Sequence, residues 1–208
     1  MAAATPAPGR LIAIDATRGA DIRTEAARVA DDLRARGIDC AISRWDASGM
    51  FEDLLAGPVA GRQVSPRMLA LLYAADLVFR LRWEIGPALA AGRVVIAAPY
   101  VDTAVAVGVG LGLPDAWLLD VLRFAPMPDA ARAAPERRRD AGWRPRPDRG
   151  YAECCATLLD GAPTALRKRR ARRRAMAWLE ARAVATGGLK RRHLIRRMVD
   201  IRRRVDEV

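Results

Sequence analysis

Hydrophobic residues recur along this chain in two alternating patterns. Arg10 to Asp15 (RLIAID) is an unbroken apolar run of strand length, as expected of a strand covered on both faces in a parallel sheet. From Thr24 to Arg36 the apolar residues take helical spacing, at Ala26, Ala27, Val29, Ala30 and Leu33, and Gly37 closes that stripe as a C-terminal cap. Ile38 to Ser43 (IDCAIS) reads as a second short strand, and Arg44 to Leu55 as a loop around Ala47-Ser48-Gly49 that turns helical. Ser65-Pro66 opens a long helix, with Ser65 as its cap and Pro66 at its first position. Met68, Leu69, Leu71, Leu72, Ala75, Leu77 and Val78 make that helix apolar on nearly every side, which predicts a central, buried element. Trp83 to Ala91 continues it as far as Gly92, Arg93 to Ala98 (RVVIAA) is a third buried strand, and Leu113 to Phe124 is a further helix with Asp115 near its start.

Strands and helices alternating at this spacing predict βαβ units on a parallel sheet. Right-handed crossovers then place ligands at the carboxyl ends of the strands: Asp15–Gly19, Ser43–Asp46 and Ala98–Tyr100. The alternation stops after Pro126. Residues 126–150 hold five of the chain's 13 prolines, many arginines and an isolated Trp143, and read as a loop, lid or linker. Tyr151–Leu159 is a last helical stretch before Gly161-Ala162-Pro163. Beyond it, 164–185 carries Met176, Trp178, Leu179 and Val184 for one apolar face, and Leu189–Val205 carries Leu194, Ile195, Met198, Val199 and Ile201.

Charge divides the chain at the same place. Residues 1–162 contain 20 Lys+Arg and 20 Asp+Glu, whereas residues 163–208 contain 16 and 4, the whole net charge of +12. The expected organisation is a loose leader over 1–9, an α/β domain over 10–162, and an Arg-rich helical extension over 163–208. Its exposed cations Arg169, Arg170, Arg173, Arg174, Arg191, Arg192 and Arg196, with Trp178 for stacking, suit nucleic acid or an acidic protein partner. Two amphipathic helices packed on the domain with arginine faces outward are a compatible reading. No run of 18 apolar residues is present, and the leader lacks the basic and apolar regions of a signal peptide. Three cysteines, two of them adjacent (Cys154 and Cys155), suit a reducing, cytoplasmic setting and core packing rather than metal or disulfide chemistry. The single histidine, His193, has no acidic or thiol neighbour in sequence and reads as a surface residue. No metal site is expected.

The segment Leu11–Leu33 has the strand–turn–helix form of a phosphate loop, G-x-x-x-x-G-K-[ST], in which backbone N–H groups, a lysine and a hydroxyl meet phosphate and Mg²⁺. The most specific stretch is SPRMLALLYAADLVFRLRWEIGPALAAGRVVI, Ser65 to Ile96. It resembles the thymidylate kinase family's S-P-x-x-E-x-L-L-x-x-A-D-R-x-x-H…I-x-P-A-L-x-x-G-x-x-V-I. The resemblance is collinear from about Arg10 to Asp129. It implies a P-loop nucleoside-monophosphate-kinase-like, parallel-sheet three-layer α/β sandwich, carrying here a basic α-helical C-terminal extension, and a homodimer.

The resemblance also implies which positions carry chemistry, and most differ here. Asp21-Ile22-Arg23 stands for Gly-Lys-Ser, Ala98-Pro99 for the Asp-Arg pair, Leu77 for a monophosphate-binding arginine and Arg80 for the following histidine. Arg44 matches the arginine of the Arg-Glu-Pro loop, with Trp45-Asp46 after it, and Tyr100 and Asp102 match the Tyr-x-Asp-Ser segment, where Asp102 would cap the next helix. The family's core strand after Pro-Asp is expected to be lost, since Met127-Pro128-Asp129 leads into AARAAPERRR. Candidate nucleotide or phosphate ligands are Asp15, Arg18, Gly19, Arg44, Tyr73, Tyr100 and Asp102. The favoured reading is a non-catalytic binding or regulatory protein. The alternative is an active dTMP kinase using ATP and Mg²⁺, in which Arg23-Thr24 replaces Lys-[ST].

Overall fold

The computed structural model describes residues 9–56, 64–135, 150–159 and 173–182. Four parallel strands, β1 (Arg10–Asp15), β2 (Cys40–Arg44), β3 (Val94–Ala98) and β4 (Ala130–Ala133), lie in the order β2-β3-β1-β4. Register is fixed by pairs such as Ile12↔Ile96, Ile42↔Ile96 and Ile12↔Ala130. The pleat sends alternate residues to opposite faces. Ile14, Ile96, Ala98 and Cys40 pack beneath α1 (Gly19–Ala35), whereas Leu11, Ala13, Val95 and Ala97 join the larger core on the other face. That core is covered by α3 (Pro66–Arg80), α5 (Val101–Gly110), α6 (Asp115–Val121) and α7 (Tyr151–Leu158). The result is the parallel α/β sheet that the alternating pattern predicts, in the three-layer sandwich that the resemblance implies.

Three sequence expectations need correction. First, α1 begins at Gly19, five residues before Thr24, so Asp21, Ile22 and Arg23 are helical rather than loop. Ile22 is buried against Ile14, Ala26 and Val29, so the apolar stripe starts one turn earlier than the alanine-rich part suggests. Second, the strand after Asp129 is present. Its mostly exposed Ala130–Ala133 lacks any side-chain signal and is held through the backbone of β1. Asp129 clamps its start by accepting from Leu11 N–H through Oδ2 (2.7 Å) and donating its own N–H to Leu11 O (2.9 Å).

Third, α3 is buried on one side only. Ser65 Oγ accepts from Met68 N–H (3.2 Å) and Pro66 follows it, as expected of that start. Leu69, Tyr73 and Leu77 face the core, but Met68, Leu71, Val78 and Phe79 are exposed, and Trp83 is 65% exposed. A π-helical turn, Leu81–Ile85, joins α3 to α4 (Gly86–Ala90). The other boundaries shift by a few residues: β2 starts at Cys40, α2 spans Met50–Ala56 and α6 spans Asp115–Val121. Gly37 (φ 71°) follows α1 and donates to Arg34 O, the left-handed closure expected there.

A further helix, α8, covers 173–182 and packs Ala175 and Leu179 on Ala106 of α5, with Trp178 half-buried beside them. Arg173 and Arg174 face solvent. Residues 136–149 of the lid-like stretch and Arg169, Arg170, Arg191, Arg192, His193 and Arg196 lie outside the described residues.

Candidate functional site

The crevice between β1 and β3 is the topological switch point of this sheet, where the chain leaves in opposite directions and ligands of such folds bind. Asp15, the last residue of β1, spans it. Its Oδ1 accepts from Tyr100 N–H (2.9 Å), Thr103 N–H (2.9 Å) and the Thr103 hydroxyl (2.7 Å). These donors belong to the head of α5, so Asp15 caps that helix from another strand. Asp102, expected as the cap, instead lies 3.6 Å from Arg182 Nε of α8. Asp15 is 5% exposed. Burial and the neighbouring Asp102 carboxylate push its pKa up to about 6, against the pull of the Thr103 and Tyr100 hydrogen bonds. Asp102 is also raised by burial, with Arg182 opposing.

The carboxyl ends of β2 and β3 are joined by a buried arginine. Arg80 donates to Ser43 Oγ (2.9 Å), Ser43 O (3.0 Å) and Pro99 O (2.9 Å), and Ser43 Oγ donates to Glu84 (2.6 Å). One turn earlier on α3, buried Asp76 organises the loop after β2, accepting from Asp46 N–H, Ser48 N–H and the Ser48 hydroxyl. Asp46, itself in the left-handed region (φ 62°), caps α2 by accepting from Phe51 and Glu52. Above this loop Trp45, Phe51, Tyr73 and Tyr151 form a contiguous aromatic cluster, with Tyr73 and Tyr151 centroids 4.5 Å apart.

The turn between β1 and α1 is three residues long, Ala16–Arg18. The Arg18 side chain supplies no capping hydrogen bond to the backbone of the helix head. Instead the Gly19 N–H donates to both carboxylate oxygens of Glu153 in α7, at 3.1 and 3.4 Å. Two helix N-termini meet here. A Cβ on Gly19 would stand 2.5 Å from Gly150 Cα, so only paired glycines permit the approach. The partial positive ends of α1 and α7 face each other, and the Glu153 carboxylate lies beside both. An anion site at a helix head is thereby filled by the chain itself.

The sequence candidates distribute as follows. Asp15, Arg18 and Gly19 sit together at the β1–α1 turn, where Arg18 Nη1 is 3.5 Å from Asp21 Oδ2. Tyr73 and Tyr100 are buried and their hydroxyls are spent internally, on Tyr100 O (2.6 Å) and Pro126 O (2.8 Å). Burial raises both phenol pKa values. Arg44 is exposed at the end of β2, apart from that turn. Thr24 lies in the second turn of α1 with its hydroxyl on Ala20 O (2.9 Å), while Arg23 Nη1 comes within 3.5 Å of a Gly19 Cβ position. Sequence reasoning missed Glu153, Asp76 and Thr103, all of which act across long sequence separations. The only local sign was Glu153 as an acid in the first turn of α7.

A small cavity of about 100 Å³ opens beside Asp15 and Asp21, below Met176, Leu179 and Glu180 of α8. Among the described residues, no group of three or more His, Cys, Asp or Glu is placed to hold a metal ion. Cys40, Cys154 and Cys155 are buried and not joined in disulfides. No described helix is long and apolar enough to cross a membrane.

No protein-family model matches the chain. It is 30% identical over 127 residues to a probable thymidylate kinase of Thermococcus onnurineus, covering 57% of this chain and 62% of that protein. It is 36% identical over 121 residues to a thymidylate kinase of Xanthomonas euvesicatoria pv. vesicatoria, covering 58% of this chain and 54% of that protein. The chain thus spans little more than half the length of the curated relatives it matches. The crystal structure of thymidylate kinase from Ehrlichia chaffeensis superposes with a TM-score of 0.49 at 13% identity, covering 61% of this chain and 75% of that one. Across more than half its length, this chain is thymidylate-kinase-like in sequence.

Proposed function

We propose that the chain is a thymidylate-kinase-like protein that does not transfer phosphate and serves as a binding or regulatory protein. The observation that carries this reading is the Glu153 carboxylate on the Gly19 N–H, at the helix head where a phosphate would bind. Phosphoryl transfer rests on positioning and on neutralising charge with Lys, Arg and Mg²⁺. Here a second acid, Asp21, sits in the first turn of α1, Ile22 points into the core, and Ala98-Pro99 stands at the carboxyl end of β3. An incoming phosphate would meet two carboxylates at close range and find no lysine in the turn. The test is transfer from ATP to dTMP with Mg²⁺, alongside thermal shift with each component. No turnover above background and no shift are expected; turnover in the parent chain that Arg23→Ala abolishes overturns the proposal and favours the active kinase.

The exposed face of α3 supports a second copy of this chain as partner. Met68, Leu71, Val78 and Phe79 recur at helical spacing on one side, and apolar stripes of this kind mark interfaces. Sedimentation equilibrium is expected to give a dimer that Leu71→Glu with Val78→Glu converts to monomer; a monomeric parent chain refutes this. The basic extension supports polyanion binding beside either reading, with exposed Arg173 and Arg174 on α8. Affinity for single-stranded RNA is expected to fall steeply with salt, and an unchanged salt slope after deleting residues 183–208 refutes that assignment.

A further inference from the structure

The helix α8 is lightly seated on the domain. Ala175 and Leu179 rest on Ala106 of α5 with Trp178 half-buried beside them, and the Thr17 hydroxyl donates to Met176 Sδ (3.3 Å), a weak acceptor. The fit leaves a cavity of about 100 Å³ between Met176 and Leu179 on one side and Ala16, Ala133 and Ala134 on the other. A close-packed interior leaves few voids larger than a water molecule. Glu180 brings a carboxylate to the same cavity that Asp15 and Asp21 line, so charge does not favour closure there. An ion pair ties α8 to the head of α5: Arg182 Nε lies 3.6 Å from Asp102 Oδ1, and the Arg182 side chain is 38% exposed. That separation exceeds the about 2.7–2.9 Å of a charge-assisted hydrogen bond, and partly exposed pairs of this kind contribute little.

Arg173 and Arg174, toward the other end of α8, face solvent. At about 1.5 Å of rise per residue, Arg174 and Arg182 stand about 12 Å apart along the helix, within reach of one polyanion strand. A phosphate can take the Arg182 guanidinium in bidentate fashion, a better match than the Asp102 carboxylate offers at 3.6 Å. We propose that α8 is a strap over the carboxyl end of β1 that single-stranded nucleic acid displaces: its phosphates draw Arg182 from Asp102, and α8 lifts from Thr17 and Ala106. The displacement rests on the reading that the basic extension binds a polyanion, and goes beyond it in opening the domain. It holds whether or not the chain transfers phosphate. Coupling of this kind is reciprocal, so a change that loosens the seat of α8 strengthens nucleic-acid binding.

The experiment uses the full-length chain carrying Thr17→Cys, whose thiol replaces the hydroxyl against Met176 at nearly constant size, while Cys40, Cys154 and Cys155 are buried. Labelling by N-ethylmaleimide is timed with and without single-stranded oligouridylate, and binding of the oligonucleotide is measured in parallel by fluorescence anisotropy. The oligonucleotide is expected to speed labelling at position 17 by about fivefold or more, because access follows the open population. Leu179→Ala, added to this chain, loosens the seat without changing charge. It is expected to speed labelling in the absence of oligonucleotide and to tighten oligonucleotide binding by about threefold or more at fixed salt. Failure to bind oligouridylate overturns both the strap and the polyanion reading. Binding with unchanged or slower labelling, or no tighter binding in Leu179→Ala, overturns the strap and leaves the polyanion reading standing.

Discussion

Asp15 makes stability fall as pH rises, which is the reverse of the usual behaviour of a structural carboxylate. Its pKa is about 6 in the folded chain against 3.8 for an unperturbed aspartate. The native state therefore binds the Asp15 proton more tightly than the unfolded state. The stability associated with that proton is fully present below about pH 4 and is lost as pH climbs through 6, with no further change above. A gap of about two pH units at 1.36 kcal/mol each amounts to about 3 kcal/mol. Asp15→Asn isolates this quantity, because the amide oxygen can accept the same three hydrogen bonds from Tyr100 and Thr103 while carrying no charge. Urea unfolding of both proteins at pH 4, 5, 6, 7 and 8 measures it. The stability difference, variant minus parent, is expected to rise by about 2.5 kcal/mol between pH 4 and pH 8, with most of the change by pH 7. A difference flat across that range, or one that falls with pH, refutes the reasoning.

Two further substitutions probe contacts on either side of the crevice. Gly150→Ala places a Cβ 2.5 Å from Gly19 Cα and 2.8 Å from Glu153 Oε2, and backbone on one side cannot yield cheaply. Thermal unfolding is expected to report a loss of about 1–3 kcal/mol, and an unchanged midpoint would show that α7 does not sit against α1. Asp76→Ala leaves the Asp46 and Ser48 N–H groups without their acceptor. Chemical denaturation is expected to show a cost of about 3 kcal/mol with Asp76→Asn intermediate, and a cost below about 0.5 kcal/mol contradicts the role given to this carboxylate.

The parts legible in sequence are those whose cause is local. β1, β3 and the Ser65-Pro66 start of α3 carry their own apolar runs and caps, and they form where expected. β4 carries no such signal, because an alanine edge strand is specified by the backbone of β1 and by Asp129, 118 residues from its Leu11 partner. The head of α1 lies one turn earlier than its apolar stripe predicts for a related reason. Its N–H is satisfied by a carboxylate 134 positions away, so no capping residue precedes Gly19. Helical spacing in α3 revealed an apolar element but not which side the domain covers, since periodicity cannot distinguish a core from an uncovered face. The residues shaping the crevice, Asp15 with Thr103 and Arg80 with Ser43, meet only after the sheet has brought the ends of β1, β2 and β3 together.

Arg80 grips the carbonyls of Ser43 and Pro99 with a single nitrogen, one at the end of β2 and one just past β3. Neither strand end can fray without breaking a bond that also restrains the other, and the freed guanidinium would be left charged inside the core. Local unfolding of this edge therefore proceeds as one event. In hydrogen-exchange terms, the amides at the close of β2 and β3 share a single opening free energy, set by α3 rather than by the strands themselves.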